Sequence, residues 1–176
     1  MNIFPNTNPN SNAYSGPTAN DTLQNVPPHI AITNIHEAVP GVMKADILFN
    51  YWSGEITTNT TWSNDAYGNP IYVGGDITVL DGVTLTISSG TEVCFAANSD
   101  DQGAGYDSTK CELIVEGTLE ADGVTFRSDS DSPSNADWQG IRAAWGTVNL
   151  VNSTLQHAQN GVWLGSAAPA VLEGVA

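Results

Sequence analysis

Short strand patterns that repeat along the chain restrict its fold more than any other feature. Runs of three to five residues alternate apolar and polar side chains and end at Gly, Asn or Asp. The stretch 113–126 repeats the pattern of 77–95, and Val79, Val115 and Val151 follow one another at intervals of 36 residues. Repeats of this kind, joined by loops of variable length, predict a solenoid in which each coil stacks on a near copy of itself. No run keeps the apolar spacing of an amphipathic helix, so we expect an all-β chain.

Composition divides the chain into three segments. Residues 1–28 are rich in Asn, Pro, Ser and Thr with few apolar side chains, which predicts a flexible or extended polar arm. Residues 29–53 hold one or two short strands separated by Pro40-Gly41, and we expect them to form an N-terminal cap or a segment donated to another chain. Residues 54–176 contain the repeats.

Three motifs carry a resemblance to a known family. They are GVTLTI at 82–87, VEGTL at 115–119 and DWQGI at 137–141. In this order they resemble the right-handed parallel β-helix repeat proteins of bacterial and archaeal surfaces, which share the pectate-lyase-like fold, over roughly residues 60–164. The resemblance implies a right-handed parallel β-helix of about three to four coils, preceded by the extended N-terminal arm.

The fold alone does not decide the function, because it hosts lyases, hydrolases, adhesins and inert stalks. Its lyases use Arg or Lys as the base, and of the four such residues here only Arg127, at the end of a strand with Asp129 and Asp131 nearby, is a candidate. Its hydrolases need several Asp residues near a His, and no such pair flanks His157. The resemblance therefore favours the non-enzymatic branch, and we name no catalytic residue.

The charge of the chain excludes several partners. It carries 19 Asp and Glu against 4 Lys and Arg, a formal net charge of -15 at pH 7. Nucleic acids and anionic membrane surfaces are disfavoured, because their binding requires clustered cationic side chains. The sequence contains no apolar stretch of about 18 residues, so we expect no insertion into a membrane.

Abundant Thr, Ser and Asn indicate an extracellular or cell-surface protein. The first residues lack the basic and apolar regions of a signal peptide, so we expect a mature product or a piece of a longer chain. Asn20, Asn59 and Asn152 begin Asn-x-Ser/Thr sequons and are candidates for glycosylation.

Two acidic loops contain candidate calcium ligands, since calcium prefers clustered carboxylates on turns. The candidates are Asp100, Asp101 and Asp107 in the first loop and Asp129 and Asp131 in the second. The alternative is that both loops are simply solvated. Calcium is the one candidate cofactor, and the fold requires none.

Two cysteines and several aromatic residues complete the candidates. Cys94 and Cys111 bracket the first acidic loop and predict a disulfide, the alternative being two buried thiols. Trp62 and Tyr67 are candidates for stacking on a sugar, whereas Trp138 and Trp163 fall within the strand pattern, which predicts packing in or over the core.

Open strand edges predict how the protein is used. A solenoid exposes unpaired strands at its ends, and we expect one chain to complete the end of another. The resulting hypothesis is an extracellular structural or adhesive β-solenoid that self-associates end to end into a surface filament. The alternatives are a carbohydrate-active module that binds or cleaves a polysaccharide, and a spacer within a larger adhesin.

Overall fold

The protein is all-β in a computed structural model that describes residues 29–39, 41–64, 70–100 and 102–176. The arm predicted at residues 1–28 lies outside the described residues. Every element bounded within the described ranges is a strand: β1 (His29–Val39), β2 (Val42–Ile56), β3 (Thr60–Trp62), β4 (Ile71–Val79), β5 (Thr84–Ile87), β6 (Glu92–Phe95), β7 (Glu112–Val115), β8 (Thr118–Asp122), β9 (Thr125–Ser128), β10 (Gly140–Ala143), β11 (Thr147–Val151), β12 (Thr154–Leu155), β13 (Val162–Leu164) and β14 (Ala170–Glu173).

Apart from the pair β1–β2, these strands stack in parallel and form three ladders. The first ladder runs β2–β4–β7–β10–β13, and the second runs β3–β5–β8–β11–β14. The third ladder runs from the beginning of β4 through β6 and β9 to β12. Because the chain visits the ladders in rotation, the sheets curl around one interior. The predicted parallel stacking of repeats is confirmed, and the first two ladders hold five strands each while the third holds four.

The core is built from columns of apolar side chains, one from each successive strand. In the second ladder Leu85 pairs with Leu119, which pairs with Val148, and all three are fully buried. In the third ladder Val93 pairs with Phe126. Since side chains alternate across a strand, each strand gives every second residue to the interior, which explains the alternating pattern of the sequence.

The 36-residue spacing has a mixed origin. Val79 and Val115 are true equivalents, because they pair in the first ladder. Val151 lies instead in the second ladder, where it pairs with Asp122. The coils are joined by loops of different lengths, so equal spacing along the sequence does not preserve equal position on the coil.

Glycines at the turn from the first ladder to the second allow the coils to approach. A Cβ atom on Gly117 would collide with the carbonyl oxygens of Leu80 and Val83, and one on Gly165 would collide with that of Ala144. A Cβ on Gly146 would lie 2.7 Å from the carbonyl carbon of Val115. A side chain at this turn would therefore push neighbouring coils apart.

The segment before the repeats forms a two-stranded ribbon. β1 and β2 pair antiparallel from His29–Tyr51 to Val39–Val42. β2 then continues through Gly54, where the sequence analysis placed a boundary, and joins the first ladder beside β4. Among the described residues, no helix is long and apolar enough to cross a membrane.

Candidate functional site

The first acidic loop, residues 98–110, wraps around two buried carboxylates, those of Asp76 and Glu112, which belong to strands β4 and β7. Asp76, at the corner within β4, accepts hydrogen bonds at Oδ2 from the backbone N–H groups of Ala104 and Gly105, both at 2.7 Å. Its Oδ1 accepts the N–H of Glu112 at 2.8 Å. Asp76 is 1% exposed, and this burial raises its pKa to about 6.

Glu112, the first residue of β7, holds the other side of the loop. Its Oε1 accepts the N–H groups of Tyr106 at 2.6 Å and Asp107 at 2.8 Å. The residue is fully buried, and burial raises the pKa of its carboxyl. Asp76 and Glu112 were missed by the sequence analysis because each is a single polar residue within a strand pattern. Together they fix the backbone that carries Tyr106.

The candidate calcium ligands do not converge. Asp100 accepts the N–H groups of Gln102 and Gly103 at 2.9 and 2.8 Å, so it stabilises its own turn. The Thr109 hydroxyl and N–H donate to Asp107 and lower its pKa. Asp101 lies outside the described residues. Within the ranges that the structure describes, no three His, Cys, Asp or Glu residues are arranged to hold a metal ion.

The second acidic loop is held in a similar way by hydrogen bonds. Asp129 accepts the N–H of Ala97 at 3.0 Å and links this loop to the preceding coil. Asp137 accepts the Ser134 hydroxyl at 2.8 Å and its N–H at 3.0 Å. Asp131 is exposed. Four carboxylates of the two loops, those of Asp100, Asp107, Asp129 and Asp137, therefore bind backbone donors of the chain itself.

The predicted disulfide between Cys94 and Cys111 is not formed, and both residues remain thiols. In β6 the side chains of Val93 and Phe95 enter the core, so that of Cys94 between them points the other way. Cys111 belongs to the core and its Sγ lies 2.9 Å from the carbonyl oxygen of Ser99. The two sulfurs thus face opposite sides of the wall. Burial raises the pKa of Cys94 to about 12.

Trp62, predicted to stack on sugars, is fully buried instead. Its ring centroid lies 5.0 Å from that of Trp52, and the two rings close one end of the core. The other candidate, Tyr67, lies outside the described residues. Trp138 is buried and stacks on Phe95, with the centroids 4.1 Å apart and the planes 3° from parallel.

The described sequons are exposed but take part in contacts. Asn59 accepts the N–H of Thr84 at 2.9 Å through Oδ1. Asn152 donates from Nδ2, the atom that a glycan would modify, to Asp122 at 3.2 Å. Asn20 lies outside the described residues.

Arg127, the residue considered as a lyase base, is engaged by neighbouring acceptors. Its Nε donates to Glu92 at 2.7 Å and its Nη1 to the Ser128 carbonyl at 2.7 Å. The hydrogen bond to Glu92 raises the pKa of Arg127 above its usual value. The guanidinium is therefore held in its charged form, in which it cannot accept a proton.

An aromatic groove of about 430 Å³ lies beside the first acidic loop. Trp163 pairs with Arg142 across β13 and β10, and the Arg142 guanidinium lies 5.2 Å from the centre of the Trp163 ring. The indole is 46% exposed and Tyr106 is 77% exposed. Trp163 therefore lies at the surface and not over the core as its position in the strand pattern predicted. The lining also includes Gln139, Gln159 and Asn160.

A second exposed apolar surface lies at the end of the stack. β13 pairs with β10 and β14 with β11, and neither strand pairs on its other edge among the described strands. Leu172 extends the column above Leu150 but is 48% exposed, and Val171 beside it is 50% exposed. We call β13, β14 and their side chains the open end.

The comparisons with known proteins find no relative. No protein-family model matches the sequence. No curated protein matches it. No solved structure matches the fold.

Proposed function

We propose that the protein is a structural or adhesive component of an extracellular or cell-surface filament. In this proposal the three ladders wind as a right-handed parallel β-helix, and the open end of one copy accepts a strand from the next. The observation that carries the proposal is the pair of parallel edges at β13 and β14, with Leu172 and Val171 half exposed above a continuous core.

The two ends of the core differ, which favours a directional contact. At the β3 end Trp62 is fully buried and Trp52 is 7% exposed, so the last apolar layer there is covered. At the open end the last member of a column, Leu172, remains half exposed. Burying the rest of such a side chain stabilises a contact by about 1 kcal/mol. An added strand would gain this burial together with its backbone hydrogen bonds.

The β1–β2 ribbon is the proposed donor. An isolated two-stranded ribbon is marginally stable in water, so packing against another surface stabilises it. Its tip carries three exposed apolar residues, Val39 at 58%, Val42 at 47% and Met43 at 63%. In this proposal a second copy of this chain contributes its ribbon to the open end.

A ribbon-to-open-end contact joins unlike surfaces. Such a heterologous contact leaves one donor and one acceptor unused on every pair of copies, so it extends into a filament unless the rotation closes a ring. The net charge of -15 opposes this assembly, and salt that screens the repulsion favours it. Glycans at Asn59 would be compatible with an outer surface, and the proposal requires neither calcium nor a catalytic group.

Sedimentation velocity of matched variants tests the proposal. We expect the wild-type chain to form concentration-dependent assemblies that Leu172→Lys suppresses, because a charge at an open edge prevents strand addition. Thr86→Lys is the control, since Thr86 is exposed on β5, which already pairs with β3 and β8.

A wild-type chain that stays monomeric at high concentration and salt would contradict the proposal and favour a spacer within a longer adhesin. Equal loss of assembly in Leu172→Lys and Thr86→Lys would also contradict it, because the contact would then not involve the open end. Both variants keep the buried columns intact, so circular dichroism should show the wild-type fold.

A further inference from the structure

The geometry points to a binding site for a neutral, hydroxyl-rich glycan in the aromatic groove, where Trp163 and Tyr106 offer ring faces and Arg142 and Gln139 offer hydrogen bonds. The site goes beyond the proposed filament, since Tyr106, Arg142 and Gln139 lie outside the open end and only Trp163 belongs to it. A volume of about 430 Å³ falls within the range typical of small-ligand sites.

The groove is built on rigid elements. Arg142 lies within β10, which pairs on both edges with β7 and β13, and Gln139 immediately precedes this strand. Tyr106 is held from below, because its N–H donates to the buried carboxylate of Glu112. A Cβ on Gly105 would overlap the Glu112 carboxylate, so the loop can approach Glu112 this closely only because residue 105 is glycine. The backbone segments that carry the aromatic residues are thus fixed before a ligand arrives.

The groove contains polar groups that lack partners. Gln139 is 4% exposed, and its Oε1 accepts no hydrogen bond in the structure. A buried acceptor in this state costs free energy until a donor reaches it. The Arg142 guanidinium stacks on Trp163, and among the described residues it donates to no acceptor. A sugar hydroxyl would accept a hydrogen bond from the Arg142 guanidinium, and it would reach the Gln139 Oε1 only after that buried side chain turns toward the groove.

Amide side chains complete the lining. Lys110 Nζ donates to Gln159 Oε1 at 2.5 Å, which orients the amide. The backbone N–H of Asn160 donates to the backbone carbonyl of Gln139 at 3.1 Å, and this bond holds Asn160 beside the start of β10. Each amide presents one acceptor and two donors, so it can bind hydroxyl groups in either direction. Aromatic faces bind the apolar C–H side of a pyranose ring.

Electrostatics favour an uncharged sugar over an acidic one. The two cations near the groove have acidic neighbours, since Lys110 acts on Asp107 and Arg142 acts on Glu112. The chain as a whole carries -15, so its field repels a polyanion. The site therefore lacks the excess positive charge that recognition of an acidic polysaccharide requires.

Calorimetry with defined oligosaccharides tests the inference. The probes are uncharged pentasaccharides of glucose, galactose, mannose and N-acetylglucosamine, with the galacturonic acid pentasaccharide as the charged counterpart of the galactose one. We expect binding of at least one neutral probe and weaker or no binding of the charged one. Trp163→Ala and Tyr106→Ala should each weaken binding by about tenfold or more.

Trp145→Ala is the matched control, because Trp145 is 57% exposed and lies outside the groove lining. Its affinity should stay within about twofold of wild type. Misfolding would not explain a loss of binding in Tyr106→Ala, because this variant removes only an exposed ring and keeps the backbone N–H bond to Glu112. The inference is overturned if no neutral probe binds at millimolar concentration, if the charged probe binds as well, or if Trp145→Ala loses as much affinity as Trp163→Ala.

Discussion

Substituting Gly146 by Ala should destabilise the protein by separating two coils. The added Cβ would lie 2.7 Å from the carbonyl carbon of Val115 and 2.8 Å from the carbonyl oxygen of Gly117, where ordinary contacts are 3.4–4 Å. The coils must therefore separate locally by about 1 Å. The Gly117 carbonyl also accepts the N–H of Thr147 at 2.8 Å, so the shift weakens a ladder hydrogen bond.

The magnitude follows from these two losses. Overpacking costs about 1–3 kcal/mol, and the weakened hydrogen bond adds about 1 kcal/mol. We expect Gly146→Ala to lower the free energy of unfolding by about 2–4 kcal/mol. Gly82→Ala is the control, because Gly82 has a φ of 74° but no atom within 4 Å of its added Cβ. Its cost is backbone strain alone, about 1 kcal/mol.

Urea denaturation followed by far-ultraviolet circular dichroism measures both variants. The expected order is wild type, then Gly82→Ala, then Gly146→Ala, with unchanged dependence on urea concentration. If Gly146→Ala costs no more than Gly82→Ala, the coils are not in contact at this turn and the stacking described here is refuted.

Three further predictions concern buried groups. Asp76 should titrate near pH 6 in a carboxyl-resolved NMR titration, because burial raises its pKa from 3.8 to about 6. Between pH 3.8 and about 6 the folded chain binds more protons at Asp76 than the unfolded chain does, so the contribution of Asp76 to stability falls as the pH rises from about 4 to 6. Titration of Asp76 near pH 3.8 would contradict its buried position. Cys94 and Cys111 should resist a thiol reagent in the native state, and both should react after denaturation without reductant, whereas an unreactive denatured chain would show a disulfide. Trp62→Ala should cost about 3–5 kcal/mol, whereas Trp145→Ala at an exposed position should stay within about 0.5 kcal/mol of wild type; similar losses would mean that Trp62 is not in the core.

The sequence predicted those features of the fold that depend on local periodicity. Alternation in runs such as Thr84–Ile87 indicated strands, and the similarity of 77–95 to 113–126 indicated stacked coils, which the pairing of Val79 with Val115 bears out.

The candidate site was less predictable because it depends on contacts between distant residues. Tyr106 lies in the groove because Glu112 binds its N–H, and Arg142 meets Trp163 because β10 and β13 pair in register. Trp62 was misplaced because its burial depends on Trp52, ten residues earlier and on another ladder. Exposure of an aromatic residue is a property of the packed coils, and strand alternation alone does not determine it.

Negative-stain electron microscopy of the purified protein, with and without millimolar calcium, tests the central claim most directly. Parallel coils that continue from one copy to the next predict unbranched fibres, and aligned fibres should diffract near 4.7–4.8 Å along their axis, the spacing of stacked strands. The fibres should form without calcium and disappear in Leu172→Lys. Discrete particles of single-chain size at high protein and salt concentration would contradict the account.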